Sequence, residues 1–153
     1  MAFLSSMNIV ASGMTAQQLR LDVVAENVTN STTTRTEAGG TYRRKMVVFQ
    51  SVAGRDDFRA AMARAAGGLA PNTGASPAGG VRVTQIVEDP SPMKLVYDPA
   101  HPDANEDGYV EMPNVDMVKE MTDAMAATQA YSANVTAFNT LKSVVAKGLE
   151  IGR

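Results

Sequence analysis

The stretch NVDMVKEMTDAMAATQAYSANVTAFNTLKSVVAKGLEI, residues 114–151, is the longest unbroken helical pattern in the chain. Alternating steps of four and three residues from Met117 reach Met121, Ala124, Thr128, Tyr131, Val135, Phe138, Lys142, Val145 and Leu149, the spacing of a heptad seam. Lys142 is the one defect, and Leu141 beside it covers the gap if the helix rotates slightly. No charged residue lies between Asp123 and Lys142, although Thr128, Gln129, Ser132, Asn134, Thr136, Asn139 and Thr140 do. A solvated helix carries Lys, Glu and Arg on its outer side, and a membrane span needs roughly 20 predominantly apolar residues. This stretch is neither. A helix with one apolar stripe and small, neutral, polar faces elsewhere indicates contact on several sides.

The other end of the chain has the same design. Phe3, Met7, Val10, Met14, Gln17, Leu21, Val24 and Val28 form a second heptad series, and Arg20 is the first charged side chain. Gly13 costs up to about 1 kcal/mol of helix propensity relative to Ala but permits close approach by another backbone. At 1.5 Å per residue the two helices would run about 40 and about 55 Å. Neither can hide its seam alone, so the economical arrangement packs them together and leaves their neutral faces for further copies or other subunits. The expected assembly interface comprises Phe3, Met7, Val10, Met14, Leu21, Val24, Asn27 and Val28 at one end. Met121, Thr128, Tyr131, Val135, Phe138, Leu141, Val145 and Leu149 supply the other.

Between the helices the patterning changes. Residues 30–34 and Gly39–Gly40 are turn chemistry, and residues 42–52 read as a strand carrying Val47, Val48 and Phe49. Residues 55–66 permit a short helix, and the Gly-, Pro- and Ala-rich residues 67–80 read as a mobile loop. Strands are expected around Val81–Val87 and Met93–Tyr97, separated by Pro90 and Pro92, with a short one at Tyr109 and Val110. Asn114 is the expected cap of the long helix. The fold class is α+β: an N-terminal assembly helix over residues 1–32, a β-rich insert over 33–112, and a C-terminal assembly helix over 113–153. The two helices pair in coiled-coil fashion.

Composition narrows the function. The chain has 153 residues, a net charge of −2, no Cys and one His, which excludes thiolate metal sites and disulfides and implies no nucleic-acid partner. The N-terminus lacks the basic and apolar regions of a secretory signal. Asp103, Asn105, Asp107, Gly108 and Val110 match the first half of a calcium loop, but Asn114 stands where a bidentate Glu belongs and Pro99 and Pro102 forbid the entering helix. An Asx-rich turn is the expectation. The acidic residues Glu88, Asp89, Asp98, Asp103, Glu106, Asp107 and Glu111 read as a solvated rim, and His101 has no partner for a relay. Arg43, Arg44 and Lys45 alternate sides on a strand and form no groove-filling patch, and they read equally as a partner-facing group or a solvated strand end. No enzyme, cofactor, metal or small-molecule substrate is expected.

Several of these stretches are also familiar. SMNIVASGMTAQ (residues 6–17) followed by NVTNSTT (27–33) resembles the signature of the flagellar axial proteins. YRRK (42–45), DPAHP (98–102), GYV (108–110), PNVDMVKEM (113–121) and the ending LEIGR (149–153) are similar to the proximal-rod members of that family. The chain departs from the family pattern over residues 55–80 and at Thr41, where a Pro would be familiar. The resemblance implies a non-enzymatic building block of the bacterial flagellar rod, crossing the periplasm and transmitting torque from the motor ring to the hook. It further implies export by the flagellar type III apparatus without signal cleavage. Partners would be copies of itself, other rod subunits and the membrane-embedded MS ring. The alternative is a needle or inner-rod subunit of another type III secretion system.

Overall fold

A computed structural model describes residues 2–37, 39–52, 62, 65 and 79–151. Its elements are α1 (Ala2–Thr29), β1 (Lys45–Ser51), β2 (Val81–Glu88), β3 (Lys94–Tyr97), β4 (Tyr109–Met112) and α2 (Met117–Ile151). Two long helices packed together with a small β-rich region between them make the fold α+β, as the seams predict. The proposed helix over residues 55–66 and the loop over 67–80 lie outside the described residues, save for Met62, Ala65, Gly79 and Gly80. Among the described residues no helix is long and apolar enough to cross a membrane.

Local chemistry sets the boundaries. Asn30 ends α1, its backbone N–H and its side-chain amide both donating to the Glu26 carbonyl at 3.0 Å. At the start of α2 the cap is Asp116 and not Asn114: the Val118 N–H donates to Asp116 Oδ1 at 3.1 Å. Asn114 lies too far before the first turn to serve. It is instead recruited by the neighbouring strands, accepting from the Arg44 N–H and donating to the carbonyls of Asp89 and Ser91.

The strands form two separate two-stranded sheets, β1 with β2 and β3 with β4. Backbone bonds join Asp89 to Arg44 at one end of the first pair and Val52 to Gly80 at the other, so that pair runs antiparallel. In the second, Lys94, Leu95, Val96 and Tyr97 lie opposite Met112, Glu111, Val110 and Tyr109. Gly108, at φ +79°, turns the chain into β4 against the Tyr97 ring, and Tyr97 meets Tyr109 edge-on at 5.3 Å.

Packing divides the chain into two compact units, Met1–Ala16 with Phe49–Thr84 and Ala130–Arg153, and Gln17–Val48 with Gln85–Gln129. In the first, a Cβ on Gly13 would stand 3.0 Å from the Asn134 amide, so the helices approach closely there. Gly80, at φ +110°, sits against Ser12, whose hydroxyl donates to the Ile9 carbonyl and accepts from the Val81 N–H. Among the described residues the second unit holds most of the buried side chains, including Val23, Val24, Tyr42, Val110, Val115 and Ala127.

Candidate assembly surface

The second unit is organised by a buried polar knot. Glu120 is completely buried. Its Oε1 accepts from Arg44 Nε at 2.5 Å and its Oε2 from Asn27 Nδ2 at 3.0 Å. Asn27, also buried, accepts on Oδ1 from the Tyr42 hydroxyl and the Lys45 N–H, both at 2.9 Å, and donates to the Lys45 carbonyl. One amide thus closes the free start of β1 as a neighbouring strand would. Arg44 reaches on to Asp89 at 3.5 Å. Arg20 and Asp123 form a half-buried ion pair that joins α1 to α2 directly. The ends of both helices are tied to the segment that enters the sheet.

Protonation states follow from this packing. Tyr42 is pushed up to about 12, chiefly by burial and then by the charges of Glu26, Glu120 and Glu88. Burial alone would lower Arg44, but its hydrogen bond and charge contact with Glu120, then with Asp89, hold it above its usual value. Asp89 is held below the usual carboxylate range, mainly by hydrogen bonds from the Ser91 side chain and backbone, with Arg44 adding to the effect against the cost of burial. These shifts favour the charged forms of Arg44 and Asp89 and the neutral phenol of Tyr42.

The seam of α2 differs from the predicted series at alternate positions. Glu120, Ala124, Ala127, Tyr131, Asn134, Phe138, Leu141 and Val145 are buried or half-buried, whereas Met121, Thr128, Lys142 and Leu149 are exposed. An apolar pattern cannot mark inward sites filled by a carboxylate and alanines, and so it places the stripe one residue too far on. Leu141, the substitute for Lys142, is indeed turned inward. Of the remaining expected interface residues, Val24 and Asn27 are buried. Met7, Val10, Met14, Leu21, Val28, Tyr131, Val135, Phe138 and Val145 are half-buried. The Phe3 side chain lies outside the described residues. Glu120, Arg44 and Tyr42 were missed because none belongs to an apolar series. The one available signal was spacing: Gly13, Arg20 and Asn27 recur at heptad intervals, as do Glu120, Ala127 and Asn134.

The outer side of α2 is neutral over most of its length. In the second unit Met117, Val118, Met121 and Met125 are exposed, Val118 by 72% and Met125 by 67%. Five hydroxyls on this helix are already engaged with its own backbone. Thr122, Thr128, Thr136, Thr140 and Ser143 each donate to the carbonyl four residues earlier, at 2.8 to 3.0 Å. Such back-bonding is the usual alternative to solvent for mid-helix Ser and Thr.

Elsewhere the chemistry is structural. Asp103 is held by Thr34 and Arg35, while Asn105 Oδ1 accepts from the N–H groups of Asp107 and Tyr109. The calcium-like motif is therefore an Asx turn leading into β4, and no metal-holding group of acidic or His side chains occurs among the described residues. Two open grooves flank Thr41 and Glu111.

Paired helices with neutral outer faces, and a fold whose polar groups serve its own architecture, define a structural assembly subunit. A family model described as flagella basal body rod protein matches residues 7–35, and one described as flagellar basal body rod FlgEFG protein C-terminal matches residues 106–151. The flagellar basal-body rod protein FlgC of Bacillus subtilis is 46% identical over 97% of each chain. That of Borreliella burgdorferi is 42% identical over 99% of this chain and 98% of its own. FlgC of Escherichia coli is 41% identical over the whole of both. The chain belongs to the FlgC family of flagellar basal-body rod proteins, and is a structural subunit of the rod.

Proposed function

We propose that the chain builds the proximal rod by burying the neutral outer faces of α1 and α2 against copies of itself and against other rod subunits. The observation that carries this reading is the back-bonded hydroxyl row on α2. A polar group costs free energy on burial only when it loses its hydrogen bonds. The donors of these five hydroxyls are satisfied inside the helix, so a neighbour can cover them without supplying a compensating partner for each. Residues 1–32 and 113–153 then form the inner layer and residues 33–112 the outer insert. Torque passes through the stiffness of many packed helices, with no catalytic group involved.

The same reading places the rod across the periplasm, seated on the MS ring, with the chain delivered through the flagellar export apparatus and no signal removed. FlgC relatives matched end to end support the rod over a needle of another secretion system. A charge on the neutral face tests it. Thr128 is exposed in the single chain, so Thr128→Lys should leave the circular dichroism and melting of the purified protein unchanged. The variant should nonetheless fail to enter isolated basal bodies and abolish swimming. Normal basal bodies carrying the lysine would refute the packed neutral face.

A further inference from the structure

The two edges of the β3–β4 hairpin are treated differently. Because the Asp98 N–H donates to the Gly108 carbonyl, those residues form a hydrogen-bonded pair, and the alternation of an antiparallel ladder turns the backbone groups of Leu95 and Tyr97 away from β4. On the β4 side the corresponding outward carbonyls are occupied: Tyr109 accepts from the Asn105 N–H at 2.9 Å and Glu111 from the Thr41 hydroxyl at 3.0 Å. On the β3 side, no described residue pairs with the outward groups of Leu95 or Tyr97. Both side chains are 65% exposed. Natural proteins usually blunt such an edge, and β4 is blunted while β3 is not.

We propose that β3 pairs antiparallel with β3 of a second copy, centred on Val96. The strand is complementary to itself in that register. Leu95 lies opposite Tyr97 of the other copy, and these are the residues whose N–H and C=O groups point outward, so the pairing forms hydrogen bonds where partners are missing. Lys94 lies opposite Asp98, placing unlike charges across both ends of the contact. Two marginal two-stranded ribbons become one four-stranded sheet, with Leu95, Tyr97 and Tyr109 of both copies on one face. A two-fold contact closes on itself and does not propagate along a shaft. It therefore belongs to chains outside the assembled rod, whose open edges it covers.

Disulfide trapping tests the register, since the chain contains no Cys. Val96 would face its own symmetry mate in a non-hydrogen-bonded pair with Cα atoms about 4.5 Å apart, within the range a disulfide spans. Two Leu95 residues would be diagonal neighbours about 7–8 Å apart. Full-length Val96→Cys should oxidise to a linked dimer at least tenfold faster than Leu95→Cys. Adding Leu95→Pro to Val96→Cys should abolish linkage, because proline removes an N–H that the hairpin itself does not use. Lys94→Glu in the Val96→Cys background, which sets like charges opposite Asp98, should slow it. Equal rates for the two cysteine variants, or no linkage at about 100 μM chain, a concentration suited to weak pairing, would overturn the proposal. So would linkage that neither Leu95→Pro nor Lys94→Glu affects.

Discussion

At the residue scale, the side chains that hold the second unit together are polar. Glu120 and Arg44 illustrate the asymmetry of buried ion pairs: removing one partner strands the other charge, whereas replacing both by apolar groups is often tolerated. Glu120→Ala should lower stability by about 3 kcal/mol, read as a fall in the urea midpoint. Glu120→Met combined with Arg44→Met should recover a large part of that loss. Tyr42 gives a pH signature. Its folded value of about 12 lies above the ordinary 10.0, so below pH 10 its contribution is fully present. Between about 10 and about 12 the unfolded chain loses the phenolic proton while the folded one keeps it, and stability falls by up to about 3 kcal/mol. Tyr42→Phe should flatten that part of the alkaline limb in denaturation curves measured against pH. A limb as steep as the wild type's would assign the loss to other groups.

Elements meet through small residues. Gly13 lets α1 approach the Asn134 amide in the first unit, and Gly80 lets the start of β2 lie on Ser12. The two glycines are not equivalent. At Gly13 an added methyl meets the end of a side chain that can shift, and the gain in helix propensity offsets part of the crowding. At Gly80 the backbone is at φ +110° and a Cβ would overlap the Ser12 hydroxyl, so strain and steric conflict act together. Gly80→Ala should therefore destabilise by about 1–3 kcal/mol, while Gly13→Ala should be close to neutral. Thermal melts of the two variants decide it, and a neutral Gly80→Ala would contradict the observed backbone geometry. The cap of α2 belongs to this scale too. Asn114 and Asp116 are both good N-cap residues, and the local sequence does not show that strand contacts claim the first.

For the whole molecule, inward and outward residues of the same helix make different predictions. Phe138 is half-buried within the chain whereas Thr128 is exposed. Phe138→Ala removes packing worth up to about 3–5 kcal/mol, so it should lower the melting temperature of the isolated protein as well as impair rod formation. Thr128→Lys should impair rod formation alone. Comparing melts with basal-body recovery for both variants separates folding from assembly, and identical behaviour of the two would mean that no distinct outer face exists.

The sequence by itself determined the two long helices, the α+β class, the absence of charge on the outer faces and the family, because helical periodicity, composition and motif are properties of residues close together in the chain. Tertiary structure alone decided which heptad positions turn inward. Glu120 and Asn27 are buried, and Arg44 half-buried, only because residues far apart in sequence satisfy one another's hydrogen bonds. An apolar pattern assigns such residues to solvent, since the partner that makes burial affordable lies on another element. The neutral helix face is similar: its polar composition is plain from the sequence. That five of its hydroxyls already bond to their own backbone is seen only in the folded helix.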